Sequence, residues 1–281
     1  MLDYKTTTFL VLCEQMNYRK TAEILHMTQP AVTQHIHALE EAYGCPLFQY
    51  DRRKLSMTPQ AKLLEQHLRK VRYEEEHLRL EMQEQSIPEL KLGATKSIGD
   101  YMISDKIIAL VASKKCCVQL LVDNTQALLH HIRNGSLDIA MVEGEFDKNT
   151  FGATLMKTEA FLGICSADHP FAGREISFEE AASQNLILRE QGSGTRSIFE
   201  NQLKIHGESI ASFSAMTCIS SFVVIKDLVA AGLGITFGYR SIANQDPRLA
   251  LFSLQGYPKT HDLFYVYLKD SHAEELLTFL Q

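Results

Sequence analysis

With 281 residues, 45% of them hydrophobic and 22% charged, the chain has the make-up of a folded globular protein. It is too long for most single cores, so two or three domains are expected. A net charge of −6 excludes a protein that coats nucleic acid indiscriminately, yet residues 1–72 carry about ten basic against about seven acidic side chains, a mildly basic head on an acidic body.

No apolar run approaches the roughly 18 to 20 residues that span a bilayer. The N-terminal apolar patch is broken by Asp3 and Glu14 and has no small-residue cleavage site, so a cytoplasmic location without membrane contact is expected. The six cysteines (Cys13, Cys45, Cys116, Cys117, Cys165, Cys218) show no CxxC spacing and are expected to be reduced and buried.

In chain order, Phe9, Leu10, Cys13 and Met16 mark an amphipathic helix over Tyr4–Met16, and Asn17-Tyr18 break it. Arg19–Leu25 forms a second helix with Ala22 and Leu25 inside. His26-Met27-Thr28 is a turn, and Thr28 caps a third helix, Gln29–Tyr43, which tolerates Pro30 in its first turn and ends at Gly44. Two short helices joined by such a turn form a helix-turn-helix, whose second helix enters the DNA major groove. With Val32, Ile36 and Leu39 inward, Thr28, Gln29, Pro30, Ala31, Thr33, Gln34 and His37 stand on or near the outer face. Gln can bond adenine bidentately, Thr can reach a base edge or phosphate, and a small Ala permits close approach. Residues Leu47–Pro59 read as a two-stranded wing whose tip, Arg52, Arg53 and Lys54, suits the phosphate backbone.

From Gln60 to Gln85 there is neither Gly nor Pro, and Leu64, Leu68, Val71, Leu78 and Met82 recur at spacings suited to a dimerisation helix. Ser86-Ile87-Pro88 reads as a hinge. Strands alternating with helices follow, indicating βαβ units in a mainly parallel sheet. The strands are Glu89–Ala94, Cys117–Asp123, Asp138–Glu143, Phe161–Ser166, Leu186–Arg189, one near Ala211–Met216, Gly234–Phe237 and Asp262–Leu268. The helices are Ile98–Ala112, Gln126–Asn134, Ser197–His206, Ser221–Ala231 and Glu274–Leu280. Two α/β halves joined by crossing strands would leave a cleft. Hydroxyl-rich loops at strand ends would face it: Thr95 and Ser97, Asn124 and Thr125, and Ser193, Gly194 and Thr195. Their convergence favours a pocket for a small, anionic metabolite.

Enzyme chemistry finds little support. Gly192-Ser193-Gly194-Thr195 lacks the GxxxxGK[ST] cradle, and Gly232-Leu233-Gly234 sits where C-cap glycines belong. HExxH and Gly-x-Ser-x-Gly are absent. No catalytic residue, metal ligand or cofactor is expected. A hydrolase using Ser193 would need a base and oxyanion donors that nothing supplies. A solute-sensing protein with a purely assembling head would suit an acidic recognition face, which Gln29, Thr33, Gln34 and His37 do not make.

The stretches Thr21-Ala22-Glu23, Thr28-Gln29-Pro30-Ala31-Val32-Thr33, Leu39-Glu40-Glu41, Gly44, Leu47-Phe48 and Thr58-Pro59 together resemble a LysR-type transcriptional regulator. Asn134–Ala140 and Val229–Ile235 resemble the weaker regulatory-domain signatures of that family, and Arg189–Arg196 resembles a stretch of its sulphur- and carbon-assimilation branch. The resemblance covers residues 1–281. It implies an α/β protein overall, with three parts. Residues 1–58 would form a winged helix-turn-helix, all-α with a small β wing, and 59–88 a long linker helix and hinge. Residues 89–281 would form a periplasmic-binding-protein-like effector domain, with subdomain I at about 89–161 and 266–281 and subdomain II at about 162–265. It further implies a bacterial, effector-responsive regulator that dimerises through the linker, assembles into a homotetramer and bends promoter DNA. Its expected partners are double-stranded promoter DNA, a small-molecule effector and RNA polymerase. By position, Thr95, Ser97, Thr125 and Thr195 match effector contacts of the family. Gln34 and His37 stand where basic residues are common, which puts the usual phosphate contacts and half-site in doubt.

Overall fold

The computed structural model describes residues 3–51, 54–82, 89–244 and 246–280. The chain divides into two compact units, residues 1–86 with 133–135, and residues 87–132 with 136–281. Among the described residues no helix is long and apolar enough to cross a membrane.

The first unit contains α1 (Tyr4–Gln15), α2 (Tyr18–Ile24), α3 (Gln29–Tyr43), β1 (Phe48–Asp51), β2 (Lys54–Met57) and α4 (Pro59–Glu81). Each of the first three helices starts on a side-chain cap: Asp3, Asn17 and Thr28 accept from the N–H groups of Thr6, Lys20 and Ala31. Gly44 closes α3 at φ +66°, a left-handed conformation that costs glycine nothing. The helices pack on Phe9, Leu10, Leu12, Ile36, Leu39 and Leu47, and each fully buried aliphatic or aromatic side chain contributes about 1.5 to 3 kcal/mol. Strands β1 and β2 pair antiparallel from Phe48↔Met57 to Asp51↔Lys54, which is the expected wing. Arg52 and Arg53 at its tip lie outside the described residues, as does the hinge Ser86-Ile87-Pro88.

The linker helix corrects one expectation. Leu64 and Leu68 belong to the core of the first unit, 8% and 5% exposed, and do not form part of an outward seam. The physical reason is that α4 lies against α1. Arg69, also buried, donates to Glu65 (2.7 and 2.9 Å) and to Glu14 of α1 (3.2 Å). Among the described side chains, Leu63 and Leu78 of α4 and Met82 just after it are exposed, with Val71 half-buried.

The second unit runs β3 (Glu89–Thr95), α5 (Lys96–Tyr101), α6 (Ser104–Ser113), β4 (Cys117–Asp123), α7 (Thr125–Arg133), β5 (Ile139–Val142), β6 (Phe151–Ser166), β7 (Glu175–Ile176), α8 (Phe178–Ala182), β8 (Asn185–Leu188), α9 (Gly194–Ile205), β9 (Ala215–Cys218), α10 (Phe222–Ala230), β10 (Thr236–Tyr239), α11 (Arg240–Ala243), β11 (Leu249–Leu254) and β12 (Thr260–Leu268). A 3-10 segment, His272–Phe279, stands where a final α-helix is expected. The helix expected over Ile98–Ala112 is two, α5 and α6, with Met102 and Ile103 between them.

The main sheet has the order β4-β3-β5-β12-β6-β11-β7, and β10 pairs with β6. The expectation of a mainly parallel sheet is corrected. Pairs β3–β4, β3–β5 and β7–β11 are parallel, but β5–β12, β6–β12, β6–β10 and β6–β11 are antiparallel, so the sheet is mixed. The cause is β6, 16 residues long, which pairs with β12 over its first part and with β10 and β11 over its last. Only Phe161–Ser166 of it shows in the sequence, because Gly152, Thr154, Lys157 and Glu159 dilute the apolar signal upstream. Strand β12 returns to the first half as expected, with a bulge at Leu263/Phe264. Strands β8 and β9 form a separate parallel pair.

The six cysteines are free thiols, but Cys117 and Cys218 are exposed, contrary to the expectation of burial. Both lie on strands with an open side, β4 at the end of the main sheet and β9 in a two-stranded pair. Burial pushes the Cys165 thiol up to about 11, which suppresses its reactive thiolate.

Candidate nucleic-acid interface and effector cleft

Helix α3 presents two chemically distinct faces. Val32, Ile36 and Leu39 are buried, whereas Thr28, Gln29, Pro30, Gln34 and His37 are exposed and Ala31 and Thr33 partly so. This is the division expected from the sequence. Two side chains are engaged within the helix. The Thr28 hydroxyl accepts from the Ala31 N–H (3.3 Å), and the Thr33 hydroxyl donates to the Gln29 carbonyl (3.1 Å). Gln29 and Gln34 point free amides outward, where both donor and acceptor are available for a base edge.

His37 lies 3.1 Å from Glu40, so it is partly tethered. Glu40 itself accepts the N–H groups of Leu47 (2.8 Å) and Phe48 (3.4 Å), linking the recognition helix to the start of the wing. That carboxylate is a positioning group missed in the sequence, where it reads as an ordinary exposed helix residue. Lys54 is exposed beside the wing tip. Thr58 donates to the Pro46 carbonyl (2.9 Å) and caps α4 through the Ala61 N–H (3.1 Å), holding both ends of the wing.

In the second unit the three hydroxyl-rich loops do converge. They converge on a residue of the chain. Glu143, 1% exposed, follows directly after β5, a strand buried at every position. Its carboxylate accepts from Ser97 (2.6 Å), from Thr195 (3.1 Å) and from Thr95. Its backbone carbonyl accepts from Thr125 (3.3 Å). Thr95, Ser97, Thr125, Ser193 and Thr195 are all buried. Asn124 is engaged in capping α7 through the Ala127 N–H (2.9 Å).

Gly194 shows how tightly these loops meet. A Cβ there would lie 2.6 Å from both the Glu143 carbonyl and the Thr125 hydroxyl, and Gly144 packs against Gly194 from the other side. Only glycine permits this approach. The cations of the same loops are also engaged. Lys96 and Arg189 both pair with Glu190, at 3.5 and 2.8 Å, and Arg196 donates to Glu200 (2.8 Å) and to the Arg189 carbonyl (3.2 Å). The Arg189 guanidinium also stacks over Phe222, 4.4 Å from the ring centroid. Burial acts to raise the Glu190 carboxyl, but the Arg189 hydrogen bonds, a backbone hydrogen bond and the charges of Arg189 and Lys96 together outweigh it and hold that group below the usual carboxylate range.

Glu143 was not among the site residues expected from the sequence. Its one signal is an acidic side chain at the carboxyl end of an apolar strand, where open α/β sheets place ligand contacts. The Tyr239 hydroxyl is buried with no hydrogen-bond partner among the described residues. Burial, then the Glu143 carboxylate, raises its pKa well above the ordinary tyrosine value.

Comparison with known proteins agrees with both units. Residues 5–62 match the family described as bacterial regulatory helix-turn-helix protein, lysR family, and residues 83–281 match the LysR substrate binding domain. The HTH-type transcriptional regulator CysL of Bacillus subtilis is 28% identical over 244 residues, covering 85% of this chain and 81% of that protein. Full-length BenM superposes with a TM-score of 0.59 at 17% identity, over 99% of this chain and 94% of its own. The Synechocystis CcmR regulatory domain, solved in complex with 2-PG, gives 0.60 at 20% identity over 69% of this chain and 95% of its own. At such identities the two structures speak for the fold alone.

Proposed function

The chain belongs to the LysR family of DNA-binding transcriptional regulators with an effector-binding domain, and on that premise we propose how it works. It binds promoter DNA sequence-specifically through the outer face of α3, with Gln29, Ala31, Thr33, Gln34 and His37 toward the bases, Thr28 and Pro30 setting the helix start, and Arg52, Arg53 and Lys54 of the wing on phosphates. A small metabolite in the cleft lined by Thr95, Ser97, Asn124, Thr125, Ser193, Gly194 and Thr195 modulates that binding or the bend it imposes. The reading involves no cofactor and no catalytic step, and places the protein in the cytoplasm with RNA polymerase as a further partner. Two copies pair through exposed apolar residues, Leu63 and Leu78 of α4 with the half-buried Val71 and Met82 just after the helix, and two such dimers make the homotetramer.

The observation that carries this reading is the split of α3. A helix packed on three buried apolar residues leaves the amides of Gln29 and Gln34 uncommitted, and polar groups so presented are available to a base edge. Two copies are needed because one helix presents too few base-reading groups for a unique site.

Footprinting on the promoter region of its own gene tests it. Protection of a partly palindromic site, weakening steeply as salt rises, is the expected result. Equal affinity for scrambled DNA overturns the reading. A metabolite with an anionic group, the expectation from the sequence, would meet the Glu143 carboxylate already on the three hydroxyl donors.

A further inference from the structure

We propose that Glu143 is the specificity-determining residue of the cleft: its carboxylate resides on the Thr95, Ser97 and Thr195 hydroxyls as a built-in ligand and bars small anions from them. The ligand class admitted is then uncharged or cationic. This inference rests on the reading of the cleft as the effector site.

A buried carboxylate is costly unless hydrogen bonds replace its water, and here three hydroxyl donors do so. The donors come from elements far apart in the chain, Thr95 and Ser97 at the β3–α5 junction and Thr195 in the first turn of α9. Each hydroxyl has a single proton, so a group spending it on Glu143 has none for a second anion. The cations of these loops already have carboxylate partners, Lys96 and Arg189 sharing Glu190 and Arg196 pairing with Glu200. An anion placed on these donors would also meet a like charge at close range in a site of low dielectric. The Glu143 side chain is packed closely where it lies: a Cβ on Gly194 would come within 2.7 Å of its Cγ.

The test melts the purified full-length protein in chloride, acetate or sulfate at matched ionic strength, alongside Glu143→Ala, Ser97→Ala and the double variant. Sulfate and acetate are excluded from protein surfaces, so the wild type and Ser97→Ala should show the same general rise over chloride, with nothing added by the Ser97 hydroxyl. From chloride to acetate, Glu143→Ala should gain about 2 to 4 °C more than the wild type gains, as the added carboxylate takes the vacated donors. Adding Ser97→Ala should remove most of that excess. A folded Glu143→Ala protein that gains no more from acetate than the wild type overturns the proposal. So does stabilisation of the wild type by acetate or sulfate that Ser97→Ala abolishes, and this arm needs no variant of Glu143. Promoter footprints separate the two readings. Acetate that stabilises Glu143→Ala without altering its footprint upholds the role of Glu143 and overturns the cleft as effector site. A wild-type footprint that responds to the anion through Ser97 does the reverse.

Discussion

The starts of α3 and α9 draw on the same chemistry and put it to opposite uses. Both begin with small hydroxyl-bearing residues, Thr28 before one, and Ser193 before the other with Thr195 inside it. At α3 the neighbouring Gln29, Gln34 and His37 are exposed, while at α9 Ser193 and Thr195 are buried and the Thr195 hydroxyl is spent on Glu143. The hydroxyl is common to both, so its partner and its exposure separate Thr28, exposed and capping α3, from Thr195, buried on Glu143. What decides is whether the rest of the fold brings an acceptor to the hydroxyl. A satisfied buried network holds one arrangement firmly, and an exposed set of polar groups keeps its bonding capacity for a partner.

Four substitutions break or sharpen this contrast. The largest effect is expected on the internal side, at Arg69→Ala, which leaves Glu65 and Glu14 without their shared cation and should destabilise the first unit by about 3 to 5 kcal/mol in urea unfolding. An unchanged unfolding midpoint would place this triad with surface ion pairs. Gly194→Ala forces a Cβ onto the Glu143 carbonyl and should cost about 1 to 3 kcal/mol, seen as a lower melting temperature. On the outward side, Gln29→Ala should leave stability within about 0.5 kcal/mol of the wild type. It should lose about 1 to 3 kcal/mol of discrimination at one base pair, measured with a set of single-base operator variants. The smallest effect belongs to Arg53→Ala, which should weaken binding to all sequences alike and lower the slope of log affinity against log salt by about one. Equal loss of specificity in Gln29→Ala and Arg53→Ala would remove the distinction between base reading and phosphate contact.

The first unit is largely legible because its signals are local. Caps at Asn17 and Thr28, the 4- and 3-residue spacing of Val32, Ile36 and Leu39, and the closing Gly44 each lie within a few residues of what they determine. The outward face of α3 follows directly. Leu64 and Leu68 were legible as apolar and helical but not in their destination, since a heptad-like spacing fits packing on α1 as well as packing on a second copy. In the second unit the alternation of strands and helices is readable, whereas the upstream part of β6 is not, because Gly152 and the Lys157-Thr158-Glu159 run interrupt its apolar pattern.

The sequence by itself determined the helix-turn-helix, the polar outward face of α3 and the positions of the hydroxyl-rich loops, since all of these depend on spacing within a few turns. Only the tertiary structure decided what those hydroxyls serve. Thr95, Ser97 and Thr195 lie 46 to 52 residues from Glu143 along the chain. Local periodicity carries no information over that distance. Sheet pairing and the close approach of Gly144 to Gly194 bring the four residues together, and with them the carboxylate that stands where an outside anion was expected.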